Sequence, residues 1–267
     1  MNILIIGGGN MGTTYARSFL KSQIVTHDDL MILENDPERR RVLKDLQTGI
    51  IYDDLMQCLP KADLIILAVK PQDSSVLFDT LRINGQNHPT YLSIMAGVKI
   101  ETMARALDSD KIVRAMPNLP SQIREGMTVF TSTREVKREE LLKIQNLLNT
   151  TGKTMYVEDE NLLDSATAIS GSGPAYVFYF MDALMDAARN LGFSAPEAEL
   201  LVWQTFQGTA NLFQKNNLSC EEWIQRVSSR GGTTEAAIRS FDSHQIRQSI
   251  IKGTEEAFRR AQELGKK

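Results

Sequence analysis

The sequence predicts an α/β protein with an N-terminal doubly wound sheet followed by an all-helical domain. Short, continuously apolar runs alternate with amphipathic stretches through the first part of the chain, which is typical of parallel strands covered by crossover helices. Beyond about residue 158 these runs cease, and apolar residues recur at three-to-four spacing. We therefore predict two domains, residues 1–158 and residues 159–267.

Six apolar runs predict the strands of the sheet. Each run is short and lacks polar alternation, as expected where both faces of a strand are buried. With helices between them, six such strands favour a doubly wound arrangement. The predicted strands are residues 2–6, 30–34, 64–69, 91–95, 111–115 and 127–131.

The second domain contains two recognisable helix starts. Ser194 with Glu197, and Ser219 with Glu222, match the capping box, in which a hydroxyl and a carboxylate satisfy free backbone amides. A last helix is predicted over residues 245–264, where apolar residues lie on one side. These features predict that the second domain is entirely helical.

Composition narrows the classes of function. Acidic residues outnumber basic ones, giving a formal charge of -3 over 267 residues, so we expect no nucleic-acid partner. Cys58 and Cys220 lie far apart without a Cys-x-x-Cys pair, which favours free thiols in a reducing cytoplasm and no metal site. No run reaches the about 18 apolar residues of a membrane span, and the N-terminus does not resemble a signal peptide.

The turn after the first predicted strand carries the clearest single motif. Gly7, Gly9 and Gly12 fit G-x-G-x-x-G directly between that strand and a predicted helix. Gly7 would permit the tight turn, Gly9 the approach of a pyrophosphate, and Gly12 close helix–strand packing. Amides around Asn10 and Met11 would then face the phosphates. The first domain is therefore predicted to be Rossmann-like and to bind a dinucleotide.

Residues after the second predicted strand bear on the choice of cofactor. Glu34 stands where an acidic residue accepts hydrogen bonds from an adenosine ribose and repels a 2′-phosphate, which favours NAD. Asn35 follows it, and three arginines, residues 39–41, begin the next helix. These arginines would reach a 2′-phosphate if Glu34 pointed away, and would otherwise form a solvated helix face. The preference stays open at this point.

Further motifs occur in a specific order along the chain. They are the IIGGGNMG of residues 5–12, AVKPQ of 68–72, AGV of 96–98, RAMPNLP of 114–120, ISGSGPAY of 169–176 and VSSRGGTTEA of 227–236. In this order and spacing the chain resembles the pyrroline-5-carboxylate reductase family from end to end. Each motif alone is modest, and their joint order is what makes the resemblance specific.

The resemblance implies a reaction and an assembly. The implied reaction is reduction of 1-pyrroline-5-carboxylate to L-proline, the last step of proline biosynthesis, with NADPH or NADH as hydride donor and NADPH slightly favoured. The implied assembly is a homodimer or larger homo-oligomer whose helical domains interlock. In that family the active site lies between the nucleotide domain of one chain and the helical domain of its partner.

Candidate cofactor residues follow several predicted strands. Their positions at carboxyl ends match the rim where ligands bind in open α/β sheets, so a nicotinamide ring would lie across them. Lys70 has a competing structural role, since a lysine at a strand end can simply reach solvent. Besides the glycine turn and Asn35, the candidates are Ala68, Val69, Lys70, Pro71, Ala96, Gly97 and Asn118.

The candidate substrate loop lies between two predicted helices. The resemblance implies that it binds the substrate carboxylate and that the Thr234 hydroxyl lies near the imine nitrogen as the catalytic group. An ordinary helix N-cap is the alternative role for this threonine. The loop departs from the family at Arg230, where proline is common, and a family asparagine near the ribose would fall near Leu55. The implied substrate-binding residues are Ser229, Gly232, Thr233 and Thr234.

Three other functions stay open from the residues. The first is a hydroxy-acid dehydrogenase, although residues 169–176 offer neither the lysine nor the histidine that such enzymes use. The second is a reductase of a related cyclic imine. The third is a regulatory homologue that binds NAD(P) without turnover, since a fold does not fix a function.

Overall fold

A single sheet of eight strands organises the first part of the chain in this computed structural model, which describes residues 1–84 and 89–265. The strands are β1 (Ile3–Ile6), β2 (Leu30–Leu33), β3 (Ile50–Tyr52), β4 (Leu64–Leu67), β5 (Thr90–Ser93), β6 (Ile112–Met116), β7 (Gly126–Ser132) and β8 (Gly152–Tyr156). Their order is β3-β2-β1-β4-β5-β6-β7-β8. Strands β2 and β3 are added on one side of β1, and β4 to β8 are added on the other, so the order of the strands reverses between β1 and β4.

All six predicted strands are present, each within two residues of its predicted ends. The prediction missed β3 and β8. The apolar run of β3 has only three residues, all half-buried, and is too short to stand out. β8 reads GKTMY at the sheet edge and shows no continuous apolar run. Strand β7 also runs antiparallel to β6, whereas β8 is parallel to β7.

Twelve α-helices accompany the sheet in the described part of the chain. They are α1 (Asn10–Lys21), α2 (Pro37–Asp45), α3 (Leu55–Cys58), α4 (Ser74–Asn84), α5 (Ile100–Leu107), α6 (Arg138–Asn149), α7 (Leu162–Ala166), α8 (Gly173–Asn190), α9 (Ala195–Gln214), α10 (Cys220–Val227), α11 (Thr233–Ser243) and α12 (Ile246–Leu264). Both predicted capping boxes are confirmed, at the starts of α9 and α10. None of these helices is long and apolar enough to cross a bilayer.

The sheet has an apolar cluster on each face. Along β1, Ile3 and Ile5 pack on one face, while Leu4 and Ile6 pack on the other. Each is at most 3 % exposed, and burying such a side chain contributes about 1.5–3 kcal/mol. This two-sided burial is why the strands read as continuous apolar runs.

The described chain divides into two compact units, residues 1–172 with 257–267, and residues 173–256. In the first unit, the buried Arg114 of β6 bonds Glu160 at 2.8 Å and Asp164 at 3.1 Å, which ties the segment around α7 to the sheet. The domain boundary predicted at residue 158 stays a prediction, because these two units are defined by contacts within the chain and not by the function of each part.

Candidate active site

The glycine turn between β1 and α1 requires glycine at two positions for reasons of packing. Gly7 adopts φ +104°, and a Cβ there would lie 2.7 Å from the carbonyl oxygen of Ala68. A Cβ on Gly12 would overlap the carbonyl oxygen of Gly7. Gly9 differs, because no described atom lies within 4 Å of the place where its Cβ would be. A ligand can therefore approach the backbone closely at Gly9.

Helix α1 presents free amides beside this opening. Gly9 is its N-cap residue and no side chain caps the helix, so the first-turn amides, including those of Asn10 and Met11, lack a capping side chain. The helix dipole adds partial positive charge at the same end. This geometry suits the pyrophosphate of a dinucleotide.

The Glu34 carboxylate points toward the glycine turn. Its Oε2 accepts a hydrogen bond from the Gly8 amide at 2.8 Å, and its Oε1 accepts one from the Asp36 amide at 2.9 Å. The arginines were expected to recognise a 2′-phosphate only if Glu34 pointed away from the turn. Because Glu34 points toward it, that condition is not met. Asn35, next to it, is exposed at the end of β2.

Two of the three arginines bind backbone carbonyls near this carboxylate. The guanidinium of Arg39 donates to the Gly8 carbonyl at 2.6 Å and to the Thr13 hydroxyl at 2.8 Å. The guanidinium of Arg40 donates to the carbonyl of Asn35 at 2.8 Å. Arg39 therefore helps to fix the glycine turn and Arg40 the loop after β2, so neither forms only a solvated face.

The sheet brings the loops after five strands to one edge, since β2, β1, β4, β5 and β6 are parallel neighbours. The Ala68 amide donates to the Ile6 carbonyl at 2.9 Å, which holds the loop after β4 against the glycine turn. Val69 also approaches Gly7, and Pro71 begins a short 3-10 turn. Lys70 is exposed, and its ammonium group makes no hydrogen bond or ion pair within residues 1–84 and 89–265.

Asn118, which follows β6, uses both ends of its side-chain amide inside the protein. Its Nδ2 donates to the Ser170 carbonyl at 3.0 Å, and its Oδ1 accepts from the Met127 amide at 2.9 Å. These bonds join β7 to the π-helical turn Thr167–Gly171. Its observed role is structural, and its predicted contact with the cofactor stays a prediction.

The loop after β5 lies under the end of the last helix. Gly97 adopts φ +78°, and a Cβ there would lie 2.9 Å from the Cβ of Leu264 in α12. Ala261, one turn earlier, is only 4 % exposed. The end of α12 therefore covers Gly97 from one side, while Ala96 remains half-buried.

The candidate substrate loop joins α10 to α11 in the second unit. Gly232 is the N-cap residue of α11, so Thr233 and Thr234 lie in its first turn, where backbone amides have no helical acceptor. The structure thus contradicts the alternative that Thr234 is the N-cap. Within the described residues its hydroxyl makes no hydrogen bond. The Ser229 carbonyl accepts from the Gly232 amide at 2.9 Å and closes the turn.

Glu235 also helps to form this loop, a role that the motif of residues 227–236 did not predict. Its Oε2 accepts a hydrogen bond from the Gly231 amide at 2.6 Å, and Gly231 has φ +71°. A glutamate three residues after the N-cap residue Gly232 was the signal available in the sequence. By occupying this amide, Glu235 leaves the amides of Thr233 and Thr234 as the free donors of the turn.

The candidate binding groups are divided between the two units. The first unit presents the glycine turn, Glu34 and the loops at the sheet edge, and the second presents the loop around Thr234. Among the described residues, no group of three or more His, Cys, Asp or Glu side chains is placed to hold a metal ion.

Known protein families match both the N-terminal and the C-terminal part of the chain. A family model described as pyrroline-5-carboxylate reductase dimerisation matches residues 160–264, and one described as NADP oxidoreductase, coenzyme F420-dependent, matches residues 2–97. A pyrroline-5-carboxylate reductase of Synechocystis is 32% identical over 98% of both chains. One of Aquifex aeolicus is 33% identical over 99% of this chain and 97% of its own.

Solved structures agree with these relatives over the whole fold. A pyrroline-5-carboxylate reductase of Coxiella burnetii superposes with a TM-score of 0.91 at 32% identity, over 100% of this chain and 99% of its own. A pyrroline carboxylate reductase of Plasmodium falciparum, solved with NADP bound, superposes with a TM-score of 0.90 over 99% and 98% of the two chains. At 24% identity the second supports the fold alone.

Proposed function

The chain belongs to the pyrroline-5-carboxylate reductase family, and on this premise we propose which of its residues carry the reaction. It reduces 1-pyrroline-5-carboxylate to L-proline with a nicotinamide cofactor. The observation that carries this function is identity of about a third with named reductases over nearly the full length of both chains.

The first unit would hold the dinucleotide at the glycine turn. Gly9 leaves the space for a pyrophosphate, and the amides of Asn10 and Met11 would donate to it. The loops at residues 68–71 and 96–97 would flank the nicotinamide, which supplies the hydride when bound. In the reaction hydride adds to the carbon of the substrate C=N bond and a proton to its nitrogen, giving the secondary amine of proline.

The second unit would hold the substrate at the start of α11. The free amides of Thr233 and Thr234 suit a small carboxylate, and Ser229 and Gly232 shape the turn. The free hydroxyl of Thr234 would then donate a hydrogen bond to the imine nitrogen. Most of the catalysis would come from this positioning. We propose that the site is completed by the partner chain, as the family resemblance implies.

Replacing Thr234 tests this assignment. Thr234→Ala removes the hydroxyl, so we expect kcat to fall on the order of 100-fold with the Kd for the dinucleotide nearly unchanged. Thr234→Ser keeps a hydroxyl and should recover most of the turnover. Steady-state kinetics and cofactor titration measure both effects. Unchanged turnover in Thr234→Ala would remove this residue from the mechanism.

The contacts around Glu34 bear on whether the protein prefers NADH or NADPH. The family resemblance slightly favours NADPH, but the contacts of this chain favour NADH, because Glu34 faces the turn and is held by the amides of Gly8 and Asp36. A 2′-phosphate would meet that negative charge, whereas a ribose hydroxyl would donate to it. Arg40 pairs with Asp53 at 3.5 Å, and the Arg39 guanidinium is directed to the Gly8 carbonyl and the Thr13 hydroxyl.

Turnover with each cofactor tests the preference. We expect a higher kcat/KM with NADH, and Glu34→Gln should shift the ratio toward NADPH on the order of tenfold because it removes the charge. Glu38→Gln, an exposed acid in α2, is the matched control and should leave the ratio unchanged. A wild-type preference for NADPH would contradict the role proposed for Glu34.

We further propose that the protein is a cytoplasmic homodimer or larger homo-oligomer. The matched dimerisation family model supports self-association. Both cysteines are free, Cys58 buried and Cys220 exposed, which suits a reducing compartment. Burial raises the pKa of the Cys58 thiol to about 11, so this thiol stays protonated and unreactive at neutral pH.

A further inference from the structure

A cleft of about 820 Å³ lies along α1 in the first unit. Its walls come from α1, from both ends of the α2 region and from the turn at residues 121–124. It begins beside Asn10 but is not the cofactor opening, since none of the three motif glycines lines it. Four of its lining side chains are cations, and no Asp or Glu is among them. The four cations are Arg17, Lys21, Arg39 and Arg124.

The positive charge of these four side chains is not neutralised locally. Arg39 and Arg124 donate to backbone carbonyls, and within residues 1–84 and 89–265 none of the four forms an ion pair with a carboxylate. Several arginines elsewhere in the described residues do pair with carboxylates. Those that pair with carboxylates are Arg40, Arg82, Arg105, Arg114, Arg189, Arg239 and Arg260. In a chain of charge -3, the cleft thus gathers four cations with no acid among its lining residues.

The wall of the cleft contains a buried hydroxyl that has no partner in the described part of the chain. Ser121 lines it and is 1 % exposed, and its hydroxyl has no hydrogen-bond partner among the described residues. A buried hydroxyl without a partner costs free energy unless a ligand or water satisfies it. This unmet hydrogen bond is independent of the four charges and lies in the wall of the same cleft.

The spacing of the cations limits the ligand. Arg17 and Lys21 are four residues apart on α1, so they share a face and are separated by about 6 Å along the axis. A small anion such as orthophosphate is compact, whereas a chain of phosphates presents negative oxygens along its length and so suits cations that are spaced along a helix. None of the lining residues is aromatic, so a nucleobase would find no stacking surface.

We propose that this cleft binds a linear oligophosphate through Arg17, Lys21, Arg39 and Arg124. Recognition is by the phosphate chain itself and not by an attached base. None of the four cations is among the residues proposed to hold the pyrophosphate at Gly9, so both ligands should bind together.

Calorimetric titration with sodium tripolyphosphate tests the proposal. The full protein is first saturated with NADH, so that the glycine turn is occupied. We expect one site per chain, tighter binding than for orthophosphate, and weakening with added KCl, because the contacts are ionic. ATP should bind no more tightly than tripolyphosphate, and tighter ATP binding would contradict recognition by the phosphate chain alone.

A matched pair of double variants locates the site. Arg17→Gln with Lys21→Gln should raise the tripolyphosphate Kd on the order of tenfold, while turnover without tripolyphosphate stays unchanged. Arg41→Gln with Lys44→Gln removes the same charge from α2 outside the cleft and should leave the Kd unchanged. No binding in the presence of NADH, or equal weakening in both double variants, would overturn the proposal.

Discussion

At the scale of single residues, the three motif glycines are required for different reasons. Gly7 and Gly12 are fixed by contacts inside the chain, whereas Gly9 faces open space. The same sequence motif thus combines two folding constraints with one binding constraint. Substitutions at Gly9 and Gly12 should therefore fail in different ways.

A valine at each position separates these reasons. Gly9 has φ -65°, which valine can adopt, so Gly9→Val should keep its Tm while the dinucleotide Kd rises by at least on the order of tenfold. Gly12→Val should unfold or strongly lower the Tm, because its side chain would overlap the Gly7 carbonyl. Thermal melts and cofactor titration measure both. Retained affinity in Gly9→Val would refute the role given to the turn.

The sequence located most candidate residues but not their orientations. Glu34 and Asn118 were both expected near the sheet edge, and both are there. Their hydrogen-bond partners lie 26 and 52 residues away, at Gly8 and Ser170, and no local pattern encodes such contacts. For this reason the structural role of the Asn118 amide was not predictable.

At the scale of elements, the capping boxes could be predicted because they are local. The Ser219 amide and hydroxyl bond the Glu222 carboxylate, and these bonds lower the pKa of Glu222 below its ordinary 4.5. Strand direction is not local in this sense. The apolar run of β7 reads the same in either direction, and its antiparallel pairing with β6 follows from the tertiary path.

The Glu222 cap gives a pH-dependent prediction. Because its folded-state pKa is depressed, the ionised carboxylate stabilises the fold above pH 4.5, and this contribution is lost as pH falls through the folded-state pKa. Glu222→Gln should therefore lower the free energy of unfolding at pH 7, and the deficit should shrink at acidic pH. Denaturant unfolding at several pH values measures it.

Its neighbour supplies the control. Glu221 lies in the same first turn of α10 but takes no part in the box, so Glu221→Gln should cost less at pH 7. A deficit for Glu222→Gln that stays constant down to acidic pH would contradict the ionic origin of the stabilisation.

At the scale of the whole molecule, the two units differ in how much core they have. Nearly all buried apolar residues belong to the first unit, and within residues 173–256 only Ala198 and Val202 are buried. Large side chains such as Phe178 and Tyr179 are 58% and 75% exposed there. A helical unit with so little core of its own needs another surface to bury its apolar side chains.

We therefore expect the stability of this protein to depend on its concentration. Sedimentation should show a homodimer or larger assembly, and the Tm should fall on dilution. Phe178→Glu should dissociate it, whereas Val76→Glu, at a 75% exposed position on α4 of the first unit, should not. A monomer at micromolar concentration, with a Tm independent of dilution, would contradict this expectation.

The packing of Leu264 against Gly97 has a consequence for biosynthesis. A nascent chain emerges from the ribosome at about 5–20 residues per second, so the loop at Gly97 waits roughly 10 to 30 seconds before the end of α12 exists to cover it. During that interval the strands of the first unit can assemble, but this loop stays uncovered. Synthesis must therefore reach Leu264 before the nucleotide-binding half attains its final form.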